Sequence, residues 1–190
     1  CFFFFLFFLK GIKKNMTYQI PVGVAEDKFI INSKTGLVTI KSTLDRESRS
    51  IYTFPIYVTD ETGKRQYDVT LLTVNVLDVN DHAPEFKQGS CYPIHVPENT
   101  DLSAIHRVVA SDLDEGVNGE ITYSITSGNI GNKFSIDIHS GLLSARPLDR
   151  EVHSKYVLGI TAQDRGNPTS LQVRKFLFFS IDRNERKKER

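Results

Sequence analysis

The chain has few of the residues that mark several common protein classes. It contains no tryptophan, one methionine and two cysteines, and its formal net charge is +1 over 190 residues. Two cysteines outside any Cys-x-x-Cys pair exclude a framework of several disulfides. A net charge near zero removes the bulk electrostatic argument for nucleic-acid binding. With 39% hydrophobic and 25% charged residues, the composition is that of an ordinary globular chain.

Long hydrophobic runs are also missing. The longest, residues 2–9, contains only phenylalanine and leucine and is far shorter than the roughly 20 residues that cross a bilayer. Two origins stay open for residues 1–12: the core of a signal peptide, or a pyrimidine-rich stretch read through as protein, because no initiating Met is present. We therefore expect no transmembrane helix in this chain and leave residues 1–12 outside the fold.

Motifs of the common enzyme classes are absent as well. The sequence has no Gly-x-Ser-x-Gly elbow and no phosphate-binding P-loop, and its five histidines do not show metal-ligand spacing. Paired carboxylates could support glycoside hydrolysis, but here they lie on short predicted loops with no aromatic-lined cleft. The sequence therefore predicts a protein without catalytic activity.

The most informative stretch that is present is residues 78–86, Asp-Val-Asn-Asp-His-Ala-Pro-Glu-Phe. Asp78, Asn80 and Asp81 offer hard oxygen ligands, which suit Ca²⁺. The Ala-Pro pair that follows forces an extended backbone. Because alternating segments lie on both sides, the stretch predicts a short, stiff, metal-filled joint between two β units.

An internal repeat surrounds this stretch. Tyr18 aligns with Tyr123, 105 residues further on. At this spacing, or one residue less, apolar and acidic positions both recur: Phe29 with Phe134, Gly36 with Gly141, Asp45 with Asp149, Asp60 with Asp164, and Asp78 with Asp182. A shared fold explains the apolar matches, but it does not explain why acids recur at the same places.

The secondary structure reads as short strands. Residues 121–125 and 134–138 alternate with period two, and residues 33–36 and 139–141 are turns that end in Gly. No long segment carries a helical period. Short strands at close, regular spacing predict an all-β sandwich.

Further acids lie on the predicted loops. Asp112 and Asp114 are two residues apart, as are Asp45 and Glu47, and Asp164 ends a later strand. So many carboxylates at one place would repel one another without a cation. For any single motif a solvated loop, or a turn capped by Asp, is the simpler explanation. Four such motifs recurring around a repeat favour a metal site, and the absence of a twelve-residue loop with flanking helices excludes an EF-hand.

Together these motifs resemble the cadherin repeat. The segments that carry the resemblance occur in that family's order: 78–84, 97–99, 112–114, 148–151 and 162–166. The resemblance covers about residues 15–184, and the second repeat is similar to the Fat and Dachsous type. It implies tandem Greek-key β-sandwich repeats of immunoglobulin-like architecture. We expect a partial repeat without its first strands at 13–85, a complete repeat at 86–184 and a charged tail at 185–190.

The resemblance also implies Ca²⁺ as cofactor, with three ions held between successive repeats. Without calcium the junction should repel itself and bend, and with calcium it should become stiff. The implied ligands are carboxylates, one amide and the main-chain carbonyls of three residues (79, 82 and 118): Asp45, Glu47, Asp78, Val79, Asn80, Asp81, His82, Asp112, Asp114, Asn118 and Asp164.

Two departures from the family pattern affect this expectation. The acid that is Glu98 in the second repeat would fall before residue 1 in the first, so we expect fewer than three tightly bound ions. Asp60, the counterpart of Asp164, has no junction above its own repeat to which it could contribute a ligand.

The second departure is at the lower end of the second repeat, where residues 182–186 read Asp-Arg-Asn-Glu-Arg and lack Ala-Pro. A degraded lower-junction metal site would use Glu98, Asp149, Glu151, Asp182 and Asn184.

The implied function is calcium-dependent adhesion or recognition between cells. The chain would belong to the ectodomain of a single-pass protein at the extracellular face of the plasma membrane, with Asn15 as a glycosylation acceptor. Its partners would be other cadherin repeats, in cis or trans and homophilic or heterophilic, with no nucleic acid or small-molecule substrate. Strand exchange through an inserted Trp is not encoded, because the chain has none. Two alternatives stay open: a secreted calcium-binding carbohydrate-recognition module, and an incomplete fragment that does not fold alone.

Overall fold

The fold is taken from a computed structural model. It describes residues 16–24, 27–87, 93–166 and 172–182, without the side chains of residues 172–176, 178 and 180. The chain divides into two compact units, Cys1–Leu77 and Asp78–Arg190. Among the described residues, no helix has the length and apolar character that a membrane span requires.

Some of the sequence-based predictions fall outside the described residues. They are the glycosylation acceptor Asn15, the cysteines Cys1 and Cys91, the candidate ligand Asn184, the apolar segment 1–12 and the charged tail 185–190.

The first unit contains five described strands. They are β1 (Met16–Gln19), β2 (Phe29–Ile31), β3 (Val38–Ile40), β4 (Ile51–Asp60) and β5 (Gln66–Asn75). Strands β1, β4 and β5 form an antiparallel sheet in the order β1-β4-β5, and β2 pairs with β3. Strand β4 buries every second side chain between Tyr52 and Val58, as expected for a strand with one face on a core. Each large apolar side chain buried in this way contributes about 1.5–3 kcal/mol.

The second unit contains nine described strands and one 3₁₀ turn at Ile130–Asn132. The strands are β6 (Glu85–Phe86), β7 (Ile94–Pro97), β8 (Leu102–Arg107), β9 (Ala110–Ser111), β10 (Thr122–Ser127), β11 (Phe134–Ile136), β12 (Leu142–Ala145), β13 (Lys155–Gln163) and β14 (Gln172–Asp182). One sheet has the order β10-β13-β14-β7, and a second has the order β11-β12-β8. Strand β7 runs parallel to β14, and the short strands β6 and β9 pair with each other. The buried side chains of both sheets form one core, so the predicted all-β sandwich is confirmed.

The two Gly-ended turns show why strands stop where they do. The predicted strand 134–138 ends at Ile136, because Asp137 Oδ1 accepts the N–H groups of His139 and Ser140 at 3.2 and 2.7 Å. Asn32 makes the equivalent turn in the first unit. Gly141 closes the second turn at φ +66°, a conformation that side chains rarely adopt.

Candidate metal centre

The linker, residues 78–86, begins the second unit and ends in β6. Its Pro84 is fully buried, which fixes the backbone just beyond the acidic residues. The linker is held by hydrogen bonds to two loops of the same unit. One loop, residues 112–121, joins β9 to β10, and the other, residues 164–166, follows β13.

Asp78 fastens the start of the linker. Its Oδ2 accepts the main-chain N–H of Glu115 at 3.0 Å and the side-chain amide of Asn118 at 2.8 Å. The Val79 carbonyl accepts the N–H of Asp81 at 2.8 Å. A carbonyl oxygen has two lone pairs, so this bond leaves capacity for a further contact.

His82 joins the linker to Asp114, whose side chain is fully buried. The His82 N–H donates to Asp114 Oδ2 at 3.1 Å, and its ring Nδ1 lies 3.1 Å from Asp114 Oδ1 and 2.9 Å from Asp81 Oδ1. Loss of solvent lowers the pKa of His82, but the hydrogen bonds and charges of Asp114 and Asp81 outweigh it, so the pKa is raised overall.

Asn80 of the linker contacts Asp164, the acid at the end of β13. Its Nδ2 donates to Asp164 Oδ1 at 3.3 Å, and the main-chain N–H of Gly166 donates to the same oxygen at 2.8 Å. Asp164 is 2% exposed. An amide of the linker therefore lies directly against a buried carboxylate at the end of β13.

Asp112 has one buried carboxylate oxygen that receives no hydrogen bond within the described residues. Its Oδ1 accepts the N–H of Asp114 at 3.0 Å, whereas its buried Oδ2 has no hydrogen-bond partner among the residues that the structure describes. Burial first, and then the nearby charges of Asp114 and Asp164, raise the pKa of Asp112. A buried carboxylate oxygen that lacks a donor, next to two further acids, fits a positive ligand.

The donor set also fits the type of cation. Every candidate ligand atom in this centre is a carboxylate, amide or main-chain oxygen, and no sulfur belongs to it. Hard divalent cations such as Ca²⁺ take six to eight such oxygens. Within the second unit, the structure brings together the predicted residues Asp78, Asn80, Asp81, His82, Asp112, Asp114, Asn118 and Asp164.

A second acidic cluster lies elsewhere in the same unit. One carboxylate oxygen from each of Glu98, Asp149 and Glu151 lies within 4.8 Å of the others. The N–H of Asn99, a residue with φ 56°, donates to the Leu148 carbonyl at 2.8 Å and ties the two segments together. The Oε2 atom of Glu98 is buried and has no hydrogen-bond partner within the described ranges.

The remaining lower-end candidate is placed differently. Asp182 Oδ2 lies 3.1 Å from Nδ1 of His95, and both side chains are more than half exposed. The structure therefore shows an exposed pair for Asp182, while the acids of the second cluster are Glu98, Asp149 and Glu151.

In the first unit, the predicted ligands Asp45 and Glu47 lie on the loop between β3 and β4. Asp45 accepts the N–H groups of Glu47 and Ser48 and the Ser48 hydroxyl, the last at 2.6 Å. The bonds from Ser48 hold the pKa of Asp45 below its ordinary value. Glu47 Oε1 lies 2.7 Å from Nη2 of Arg46.

Asp60 has a role in its own hairpin turn. Its Oδ1 accepts the Thr62 N–H at 3.0 Å, the Thr62 hydroxyl at 2.6 Å and the Lys64 N–H at 3.1 Å. The Thr62 hydroxyl is the main cause that lowers the pKa of Asp60. The sequence predicted only that this acid lacks a junction, whereas the structure shows it capping the β4–β5 turn.

Sequence reasoning missed two contributors to the centre. The ring of His82 contacts Asp114, although only the carbonyl of His82 was assigned a role. Gly166 donates to Asp164 and packs on Asn80, a contact that no spacing in the sequence indicates. The one hint of this contact in the sequence is that a Gly lies two residues after Asp164 in the segment 162–166.

The comparisons with known sequences all indicate the same family. A family model described as the cadherin domain matches residues 10–77 and 92–175. The chain is 49% identical over 181 residues to Protein dachsous of Drosophila melanogaster, covering 83% of this chain and 5% of that protein. It is 36% identical over 176 residues to Protocadherin-23 of Homo sapiens, covering 92% and 5%. The chain therefore spans about 5% of the length of these relatives.

Solved structures show the same similarity. The crystal structure of mouse Cadherin-23 EC22-24 matches with a TM-score of 0.77 and 31% identity, over 88% of this chain and 53% of that one. Protocadherin Gamma B2 extracellular cadherin domains 3-6 match with a TM-score of 0.74 and 30% identity, over 88% and 40%.

Proposed function

Because the chain belongs to the cadherin family, with repeats of the Dachsous and Fat type, we propose that it is a calcium-stiffened segment of an adhesion ectodomain. Its relatives are adhesion proteins rather than enzymes, and its fold is theirs. The role that we assign to this segment is mechanical. Ions bound at the linker fix the junction, so that the parent protein can present its adhesive surface.

One observation supports this proposal above the others. Asp114 and Asp164 are buried, the partly buried Asp112 lies near enough for both charges to raise its pKa, and the linker is hydrogen-bonded to Asp114 and Asp164. Like charges out of water cost free energy unless a cation is close. Because the linker contacts the same acids that an ion would bind, ion binding and linker order should be coupled.

The proposed ligands come from both repeats. From the linker and the second repeat they are the oxygens of Asp78, Val79, Asn80, Asp81, His82, Asp112, Asp114, Asn118 and Asp164. We propose Asp45 and Glu47 as the ligands contributed by the first repeat, on the basis of their sequence motif. The second cluster, Glu98, Asp149 and Glu151, is proposed as a separate and weaker cation site.

We also propose repeat boundaries at 13–85 and 86–184. The two separate matches to the family model support a division into two repeats. On this proposal the chain lies on the extracellular face of the plasma membrane as part of a membrane-anchored protein. Its partners are then other cadherin repeats, in cis or in trans.

Calcium titration of the full chain tests the proposal. We expect heat of binding in isothermal titration calorimetry, and a higher melting temperature, because a ligand that binds only the native state stabilises it by about 2.7 kcal/mol at a hundredfold excess over Kd. Small-angle scattering should report a narrower range of shapes with calcium than with chelator.

Two variants complete the test. Asp114→Asn should remove the tight-binding heat of the linker centre, leave at most the weaker heat of the second cluster, and strongly reduce the rise in melting temperature, since it removes a buried carboxylate of the centre. Asp137→Asn is the matched control, because Asp137 caps an exposed turn outside the centre, and it should bind calcium like the unmodified chain. No binding heat and no thermal shift with the unmodified chain would overturn the proposal.

A further inference from the structure

Gly166 lies at the point where the linker meets the end of β13. It is buried, and its N–H donates to Asp164 Oδ1 at 2.8 Å. Asn80 donates to the same oxygen at 3.3 Å. Gly166 is therefore in contact with two residues of the calcium centre proposed above without itself offering a side-chain ligand.

The reason for glycine at this position is space rather than backbone conformation. The φ angle of Gly166 lies outside the left-handed region, so an L side chain could adopt its backbone. A Cβ atom built there, however, would lie 2.8 Å from Oδ1 of Asn80, and closer still to its Nδ2 and Cγ. Cβ atoms essentially never approach other atoms this closely, so an alanine would displace the Asn80 amide.

The linker has little freedom to absorb such a displacement. Asp78 is bonded to Asn118 on one side of Asn80, and the His82 N–H is bonded to Asp114 on the other. The buried Pro84 fixes the chain a few residues further on. The backbone at Asn80 is therefore held from both sides, and the side chain would have to move away from Asp164.

We propose that Gly166 is a positioning residue for the calcium centre: its missing side chain leaves the space in which the Asn80 amide lies against Asp164. This inference rests on the proposed function, because the affected property is calcium affinity. Residues that orient metal ligands typically change metal affinity by about 10–100-fold when they are mutated. We expect a loss in this range for Gly166→Ala.

A double-mutant cycle on the full chain tests the mechanism. Calcium affinity is measured by isothermal titration calorimetry for the unmodified chain, Gly166→Ala, Asn80→Ala and the double variant. If the alanine acts by displacing Asn80, then Gly166→Ala should cost little once the Asn80 side chain is gone. An unchanged affinity for Gly166→Ala, or an equal loss in both backgrounds, would overturn the proposal.

Gly119→Ala provides the matched control. Gly119 also lacks the left-handed φ, and a Cβ there would lie 3.0 Å from the carbonyl carbon of Asp114, and closer to its oxygen. This alanine presses on the main chain of Asp114 and not on the Asn80 side chain, so its effect on calcium affinity should persist when Asn80 is replaced by Ala. Non-additivity with Asn80→Ala is expected for Gly166→Ala only.

A readout without calcium separates this proposal from the function on which it rests. In the calcium-free chain, the side-chain amide NMR signal of Asn80, identified by its loss in Asn80→Ala, should shift in Gly166→Ala and stay in place in Asp137→Asn, which lies on an exposed turn outside the centre. If the unmodified chain bound no calcium, the proposed function would fail, while this shift would still report the packing contact. An unshifted signal would overturn the packing mechanism itself.

Folding of the variants is a further check. Should Gly166→Ala alone fail to fold, a folded double variant with Asn80→Ala would support the displacement mechanism, because the second change removes the atoms in conflict. If the double variant also failed to fold while Asn80→Ala folded, the conflict would lie elsewhere and the proposal would be wrong. Circular dichroism distinguishes these outcomes.

Discussion

The rings of Phe134 and Tyr156 pack edge to face in the core of the second repeat, with centroids 5.1 Å apart and planes at 68°. Phe29 and Tyr52 make the same contact in the first repeat, at 5.2 Å and 73°. Such pairs add about 0.5–1.5 kcal/mol to the free energy of burial. The aligned pairs Phe29–Tyr52 and Phe134–Tyr156 therefore make the same aromatic contact in the cores of both repeats.

A third ring completes each cluster but comes from a different strand. In the second repeat it is Phe179 of β14, and in the first it is Phe54 of β4. In the strand registers Val74 lies opposite Tyr52 where Phe179 lies opposite Tyr156, and Leu158 aligns with Phe54, so a large side chain on one strand is exchanged for one on its neighbour. Cores tolerate such changes when total volume is kept.

Removing the shared ring should destabilise the second repeat. We expect Phe134→Ala to lower its free energy of unfolding by about 3–5 kcal/mol, because a buried Phe is lost and a cavity stays. Urea unfolding followed by circular dichroism measures the change. Ile130→Ala is the control, since Ile130 is 52% exposed and should change stability little. Equal losses for the two variants would contradict the assigned core.

The pH dependence of stability should differ between the two equivalent turns. The Ser140 N–H is the main cause that lowers the folded-state pKa of Asp137. The ionised Asp137 carboxylate therefore stabilises the folded state at pH values above its unfolded pKa of 3.8. This stabilisation is lost as the pH falls through the lower pKa that Asp137 has in the folded state. Asn32 makes the same turn in the first repeat without an ionisable group.

The Asp137→Asn variant tests this difference. It should keep the turn, as Asn32 does, but lose this part of the acid dependence. Urea unfolding at a series of pH values between 2 and 6 measures the effect. If the variant and the unmodified chain lost stability in parallel over this range, the Asp137 carboxylate would not be the responsible group.

Mutation of the aligned acids Asp60 and Asp164 should affect different properties, stability for Asp60 and calcium affinity for Asp164. Asp60 is bonded to its own hairpin turn through Thr62 and Lys64, so Asp60→Ala should lower the stability of the first repeat and leave calcium affinity unchanged. Asp164→Ala should reduce calcium affinity, because Asp164 contacts Asn80 of the linker. Titration calorimetry measures the calcium affinity of both variants. A lower calcium affinity in Asp60→Ala would contradict the turn-capping role.

The fold could be predicted from sequence because its determinants are local. Alternation in strands such as β4 and Gly-ended turns such as 139–141 are visible within a few residues. The positions of the candidate ligands on loops were predictable for the same reason. Contacts such as Asn80 with Gly166 join residues 84 or more positions apart in the chain, and only the folded backbone defines them.

The last prediction concerns Asp112, whose replacement should change stability in opposite directions with and without calcium. In the calcium-free chain Asp112 is a partly buried acid near Asp114 and Asp164, so the near-isosteric change Asp112→Asn removes like-charge repulsion and should raise the melting temperature. In saturating calcium the same change removes a ligand oxygen and should lower the melting temperature relative to the unmodified chain.

Thermal melts of both proteins in chelator and in calcium test this reversal of sign. Asp137→Asn serves again as the control, because it lies on an exposed turn and should show no such reversal. A purely structural role for Asp112 predicts destabilisation under both conditions. A solvated loop acid predicts no change under either. Only a cation that binds at the acidic cluster makes the same substitution stabilising in its absence and destabilising in its presence.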